Sequence, residues 1–541
     1  MTEITRRDLL KISSAAAAAG LSLGPRPAPA QTPKRGGVLR IRGEDPVGFD
    51  PHMTTAFKTM TNLSFTHSRL LKAKAGPSVR PGTMPLEGDL AESWTQQNDT
   101  TYVFKLKKGV RWHPKPPVNG RELTAEDVKY TYERFLGLKT NPNRGVLEQI
   151  DKVEALDRNT VKFTLREPHA WFLDNLASTS TWIVAREAVE KSGDLKRPDT
   201  MIGTGPWMLE RYEPASRLTF VRNPNYFVPG LPYTDGVEVT IDEDPSSRLA
   251  SWLAGRYDFA PEFGMVVRRV DLEVARQRKP GLQTGEFTVG FGGITWMKLD
   301  QEPFKDVRVR RALALASNWR EVLETNAWSQ GHGFPNPAVP ACFKDWSIPI
   351  SELPADARQL YEQNTGEAKR LLAEGGYGSG LKIALDTTAG YGPDYMDAVQ
   401  IGLKNWKAAG IETDLRLKEY GAYISSTIFG KFDKMAGGLF GAWADPDSYL
   451  YRYFVPGQIT NASGVNDGKL VEMIRLQRRT FDVAKRREIV YDIQRYAAQQ
   501  VYQIYGPSVH AVAAWDAHVR NFGPNFGFDY GGRLMAVWLD R

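Results

Sequence analysis

Metal or nucleophilic chemistry in this chain would have to be built from seven histidines, one cysteine and a spread of acidic side chains. The histidines stand at positions 52, 67, 113, 169, 332, 510 and 518 with no H-E-x-x-H pair and no ligand spacing, so no metal site is expected. The stretch from Gly376 to Gly380 reads G-Y-G-S-G. It places Ser379 one position away from the nucleophile of a G-x-S-x-G elbow and has no strand leading into it, so it reads as a helix end and loop. A phosphate loop is missing too, because neither Gly430-Lys431-Phe432 nor Gly468-Lys469-Leu470 carries the hydroxyl that would hold magnesium. Gly203-Thr204-Gly205-Pro206 reads as a rigid turn before a strand, since proline removes an amide donor. No catalytic residue and no cofactor are expected.

What the chain does offer is aromatic surface. Phe, Trp and Tyr make up 11% of the residues, and fourteen are tryptophan. Most of these rings belong in cores. A subset gathers near loops: Trp296; Tyr420 and Tyr423; then Phe440, Trp443, Tyr449, Tyr451 and Tyr453. Aromatic walls with a few directed polar groups hold a solute without transforming it.

The elements that would position these rings alternate between strand and helix, which predicts an α/β protein. Tyr102, Phe104 and Leu106 alternate with polar or outward positions, as do Val161, Phe163 and Leu165, and Ile411 to Leu417; each reads as a half-buried strand. Thr124 opens a helix running to about Phe135, with Glu126 and Asp127 facing its dipole. Asp306 opens another, with Val309, Ala312, Leu313 and Ala316 at helical spacing. A third begins at Thr365 and closes at Gly375. Asp394 to Ala409 is helical, with Gly410 as left-handed cap before the strand from Ile411.

At the N-terminus, Arg6-Arg7-Asp8-Leu9-Leu10-Lys11 precedes an apolar run to Leu23 and an Ala28-Pro29-Ala30 cleavage pattern. The run is too short for a bilayer core of about 30 Å, and the order matches a twin-arginine signal peptide over residues 1–30. No cysteine stands at the cleavage site, so a periplasmic protein without a lipid anchor is expected. The lone Cys342 cannot form an intrachain disulfide. Roughly 510 mature residues exceed the length at which single cores stop growing, so more than one lobe is expected. The formal charge of +7 falls to about +5 without the leader. Basic clusters at Arg308, Arg310, Arg311 and at Arg478, Arg479, Lys485, Arg486, Arg487 read as solvated helix faces rather than a nucleic-acid surface.

A series of short stretches in a fixed order then carries a resemblance. These are Gly36 to Leu39; Asp50-Pro51-His52; Leu90 to Trp94; YVFKLKKGVRW from Tyr102; LTAED from Leu123; VKFTLREP from Val161; GTGPW from Gly203; and Arg222-Asn223-Pro224 with Tyr226. FKDVRVRRALAL from Phe304, KRLLAEGGY from Lys369 and GAWADPDS from Gly441 follow. Together they resemble the extracellular solute-binding proteins of family 5, the dipeptide, oligopeptide and nickel group of ABC importers.

The resemblance implies a hinged, type II-like periplasmic-binding-protein fold of two lobes. Lobe I would comprise 36–62, 183–294 and 501–541, with an inserted subdomain at 63–182; lobe II would be 295–500. Chain crossings near Thr295 and Val501 would form the hinge. It implies a monomer that carries a peptide-like solute to a membrane permease and its ATPase, with no catalysis. Trp443, Asp445 and Asp447, then Tyr420, Phe440 and Trp296, are the expected ligand-binding residues. Asp445 matches either an aspartate that pairs with a peptide amino group or a structural aspartate before proline. The place of a carboxylate-holding arginine is taken by Ala389 in Ala389-Gly390-Tyr391-Gly392-Pro393, so longer peptides, an opine or an oligosaccharide stay open as cargo. A sensing receptor is the alternative role, and a hydrolase the disfavoured one.

Overall fold

The computed structural model describes residues 32–441 and 445–541. The expected signal peptide of residues 1–30 and Trp443 lie outside them. Four strands open the fold, in the order Val38–Gly43, Gly236–Ile241, Arg217–Arg222, Trp207–Glu213. The first pair is parallel and the others antiparallel. Period-2 alternation sends Leu39, Ile41, Val237, Val239, Leu218 and Phe220 into one core. Gly43 is required at the end of its strand, because a Cβ there would lie 2.2 Å from Val239 Cγ1.

A four-stranded antiparallel sheet follows, in the order Ala91–Asn98, Thr101–Leu106, Thr160–Leu165, Ile150–Asp157. Its inward residues are the ones the alternation picks out: Tyr102, Phe104, Leu106, Val161, Phe163 and Leu165 are all buried. Helix Ala125–Gly137 packs on it through Val128, Tyr132 and Phe135. Its start is fixed by the Thr124 amide donating to Asp127 at 2.8 Å. Each fully buried large side chain of this kind contributes about 1.5–3 kcal/mol. The Gly203–Pro206 turn leads directly into strand Trp207–Glu213, and a Cβ on Gly203 would meet the Thr66 carbonyl at 1.9 Å.

The third large sheet has five strands, in the order Ile411–Leu417, Leu381–Thr387, Met435–Leu439, Gly293–Met297, Gln503–Tyr505. The first three run parallel to one another, and the last two pairings are antiparallel. Helices Val307–Ala316, Thr365–Glu374 and Pro393–Ala408 bring Leu313, Leu372 and Trp406 into the core shared with it. Asp306 caps the first, accepting from the Arg308 amide at 2.8 Å. Asn364, not Thr365, caps the second, accepting from the Glu367 amide at 3.0 Å. Strand Ile411–Leu417 alternates as expected but fades: Ile411 is 0% exposed and Leu417 55%, because an edge strand is flanked on one side only.

Two antiparallel stretches join this sheet to its neighbour. Gln283–Thr288 pairs with Ser508–Trp515, and a few residues further Gly293–Met297 pairs with Gln503–Tyr505. Between the two pairings lie Gly290, Gly292, Gly293 and Gly506, with the Gly506 amide donating to the Gly293 carbonyl at 2.7 Å. A Cβ on Gly506 would come within 3.2 Å of Gly293 Cα, so the two backbones touch where side chains would separate them.

The basic clusters are only in part the solvated faces that their helical spacing suggests. Arg308, Arg479 and Lys485 are exposed, whereas Arg310, Arg478 and Arg486 are buried. Arg310 donates to the Gln500 and Val501 carbonyls and to the Phe304 carbonyl at 2.7 Å. A guanidinium with five donors is needed there because helix Val483–Gln500 ends with carbonyls that have no intrahelical partner.

Candidate functional site

A cavity among the described residues has a volume of about 1030 Å³. Its wall is assembled from segments near 42–58, 243–263, 289–296, 317–329, 385–406, 419–441 and 504–509, so residues more than four hundred positions apart meet across it. Trp296, Tyr420 and Phe440, three of the residues expected to bind a ligand, line it.

Trp296 stands on strand Gly293–Met297, opposite Ala436, and is 2% exposed. Its ring lies against Gly438, where a Cβ would come 2.8 Å from the indole and 2.0 Å from the Tyr423 hydroxyl. The Trp296 Nε1–H has no partner among the described residues, a donor left open on a buried wall. Phe440 is held by its amide donating to the Gly292 carbonyl at 3.1 Å and by edge contacts with Tyr449 and Tyr505. Tyr420 packs edge-on against Tyr391, with ring centroids 5.6 Å apart, and the Lys58 ammonium sits 4.8 Å from its centroid. A Cβ on Gly390 would lie 2.6 Å from the Tyr420 ring, so that glycine admits the tyrosine.

Sequence reasoning missed Tyr391, Tyr395, Trp319 and Trp328 as wall residues. The signal available was the Gly390-Tyr391-Gly392 run, small residues on both sides of a ring. Burial pushes the Tyr391 and Tyr395 phenols above their ordinary range, so both stay neutral hydrogen-bonding groups. Trp328 donates from Nε1 to Asp394, and the Arg268 guanidinium stands 4.0 Å from the same carboxylate. Burial raises the Asp394 pKa against these two partners.

Asp445 and Asp447 do not line the cavity. Asp445 caps helix Pro446–Phe454, accepting from the Ser448 amide and hydroxyl, each at 2.8 Å. Asp447 accepts from Arg478 Nε at 2.9 Å and from the Gln477 amide, which also accepts from Trp171 Nε1 at 2.7 Å. Arg478 in turn lies 3.5 Å from the centroid of the Tyr451 ring. Asp447 therefore ties the chain near 171, 447 and 478 together, while Asp445 serves its own helix start.

Burial first, and the Asp447 charge second, push the Asp445 pKa upward. An acid whose folded pKa is raised binds more protons in the native state between its unfolded and folded pKa values, so stability falls as pH rises through that window. Replacing Asp445 by asparagine, which keeps the cap, should flatten the pH dependence of the urea midpoint from about pH 4 toward neutrality. An unchanged profile would show that Asp445 is not the group responsible.

Among the described residues no group of three or more His, Cys, Asp or Glu side chains gathers to hold an ion, and no helix is long and apolar enough to cross a membrane. Cys342 is buried, and a Cβ on Gly290 would lie 3.4 Å from its sulfur.

Comparison with known proteins places this architecture. The chain is 29% identical over 523 residues to Di/tripeptide-binding protein 1 of Pseudomonas aeruginosa (strain UCBPP-PA14), covering 89% of this chain and 91% of that protein. Its fold matches the periplasmic binding protein DppA from Helicobacter pylori in complex with peptide STSA, with TM-score 0.81, 22% identity, and 94% and 99% of the two chains covered. It also matches AgaA from A. tumefacien R10 in complex with agropinic acid, with TM-score 0.79, 22% identity and coverage of 94% and 99%. The fold is thus the α/β, two-lobed periplasmic-binding-protein fold that the motif order implies. A family model described as "Bacterial extracellular solute-binding proteins, family 5 Middle" matches residues 85–461, the span that contains the four-stranded antiparallel sheet from Ala91, four strands of the five-stranded sheet and most of the cavity wall. The chain belongs to the bacterial extracellular solute-binding proteins of family 5.

Proposed function

We propose that the protein is the solute-capturing receptor of an ABC importer, taking a peptide or peptide-like molecule into the cavity and handing it to a membrane permease powered by a separate ATPase. The observation that carries this reading is the cavity itself. At about 1030 Å³ it stands at the upper end of the range for small-molecule sites, and its wall combines aromatic rings with glycine backbone at Gly292, Gly390, Gly437 and Gly438. Rings grip apolar side chains, and of these glycines Gly390 is exposed, so its backbone can meet a peptide main chain. Trp296, Tyr420 and Phe440 are the wall residues assigned to the solute, with Trp443 beside them in sequence order.

In this reading the two lobes are 36–62 with 183–294 and 501–541, carrying the insert 63–182, and 295–500. They close on the solute by turning about the crossings near Thr295 and Val501. The mature protein begins near Gln31, exported by the twin-arginine route to the periplasm, and works as a monomer without breaking a bond in its cargo. An opine is the second reading, drawn from the likeness to AgaA with agropinic acid.

Mass-labelled peptide pools offered to the purified protein test the proposal. A cognate peptide at about one hundred times its Kd should stabilise the fold by about 2.7 kcal/mol, seen as a rise in Tm, and should be recovered intact. No rise with any peptide pool, or recovery of cleaved peptide, would overturn it.

A further inference from the structure

The charges around the cavity say more about its occupant than its size does. Among the described residues six acidic side chains line it: Glu44, Asp45, Glu243, Glu262, Asp394 and Glu419. Three basic ones face them, Arg42, Lys58 and Arg248. The wall therefore carries an excess of negative charge, and residues 442–444, which border it in sequence, are Ala, Trp and Ala and add none.

Each of the three cations is already committed to the protein. Arg42 is ion-paired with Glu44 and donates to the Asp242 carbonyl at 2.9 Å. Lys58 stands 3.3 Å from Glu44 and 3.8 Å from Glu243, with the Tyr420 ring on another side. Arg248 pairs with Glu262 at 2.7 Å and donates to the Asp242 carbonyl at 2.9 Å. Just outside the wall, Arg268 is held by Asp271 at 2.7 Å as well as by Asp394. An incoming carboxylate would lose its water, find no uncommitted cation among the described wall residues and meet a negative field. A side-chain donor of the aromatic wall without a partner among the described residues, the Trp296 indole N–H, is neutral and closed off from solvent, so it offers a carboxylate no counter-charge.

We infer that the cavity selects solutes without a free carboxylate, and so takes peptides whose C-terminus is blocked or cyclised, of neutral or positive net charge. This rests on the peptide reading and narrows it, and it disfavours an opinic acid as cargo.

Two equimolar pools of tetrapeptides with the same side chains, one with free C-terminal carboxylates and one with C-terminal amides, are mixed with the full protein, and the retained peptides are counted by mass spectrometry. Amides should outnumber acids by about tenfold or more. Equal retention, or an excess of acids, overturns the inference and leaves the peptide reading standing. Retention of neither pool overturns both. A second measurement separates charge from shape: Glu262→Gln keeps a hydrogen-bonding partner for Arg248 but removes the charge that occupies it. That variant should retain acids at least about threefold better than the parent, whereas an unchanged ratio of amide to acid overturns the account.

Discussion

Replacing Arg478 by alanine is expected to lower the unfolding free energy by about 3–5 kcal/mol, the cost of leaving a buried carboxylate without its counter-charge. Asp447 and Arg478 have side-chain exposures of 2% and 5%, so water cannot substitute for the lost guanidinium. Asp447 would keep only the Gln477 amide as donor, and Tyr451 would lose the cation over its ring. Burial already raises the Asp447 pKa against the pull of Arg478. Without the arginine the carboxyl should titrate higher still, and the deficit of the variant should shrink in acid, where the group is protonated. Denaturant midpoints at two pH values measure this. Asp447→Asn in the same background should restore part of the loss, because it removes the charge but retains a hydrogen-bonding side chain. A loss below about 1 kcal/mol would mean that the pair is solvated and contributes as a surface bridge does.

Trp296→Ala should cost about 3–5 kcal/mol by truncating a fully buried ring and should abolish ligand-dependent stabilisation, since the same ring forms part of the cavity wall. The two losses are separable with Trp296→Phe. In the empty protein, phenylalanine removes a buried donor that has no partner among the described residues, a change that relieves an unmet hydrogen bond and offsets part of the lost packing. With solute bound, it tests whether closure brings the solute to an indole N–H that is sealed from solvent here: such a hydrogen bond, once lost, weakens Kd by about two- to tenfold. Titration calorimetry on both variants checks this. If Trp296→Phe binds as tightly as the parent, the indole N–H is not used and only the ring surface matters.

Local patterns in the sequence carried the parts of the fold set by neighbours along the chain. Tyr102, Phe104 and Leu106 sit where period-2 alternation puts them, and Asp306 caps where an acid precedes an apolar helical face. The aromatic wall was half legible, because Trp296, Tyr420 and Phe440 are rings near loops. The rest depends on partners that periodicity does not report. Lys58 meets the Tyr420 ring across 362 positions, and Arg310 turns inward to meet carbonyls 190 positions away. Asp445 was ambiguous because an aspartate before proline suits a helix cap and a ligand group equally well in one dimension. The buried Arg478 and Arg486 misled for the same reason, since a charged run on a helix looks solvated until another segment is laid over it.

The paired strands that pass from Gln283–Thr288 into Gly293–Met297, and back through Gln503–Tyr505 into Ser508–Trp515, behave mechanically like two pins through one door. Two covalent threads lying side by side can twist and bend together, but neither can slide without the other. The glycines at 290, 292, 293 and 506 gather the positions without side chains at one level of the ribbon. A single pair of spin labels, one on each side of the ribbon, would report whether the joined sheets turn at this level or lie fixed.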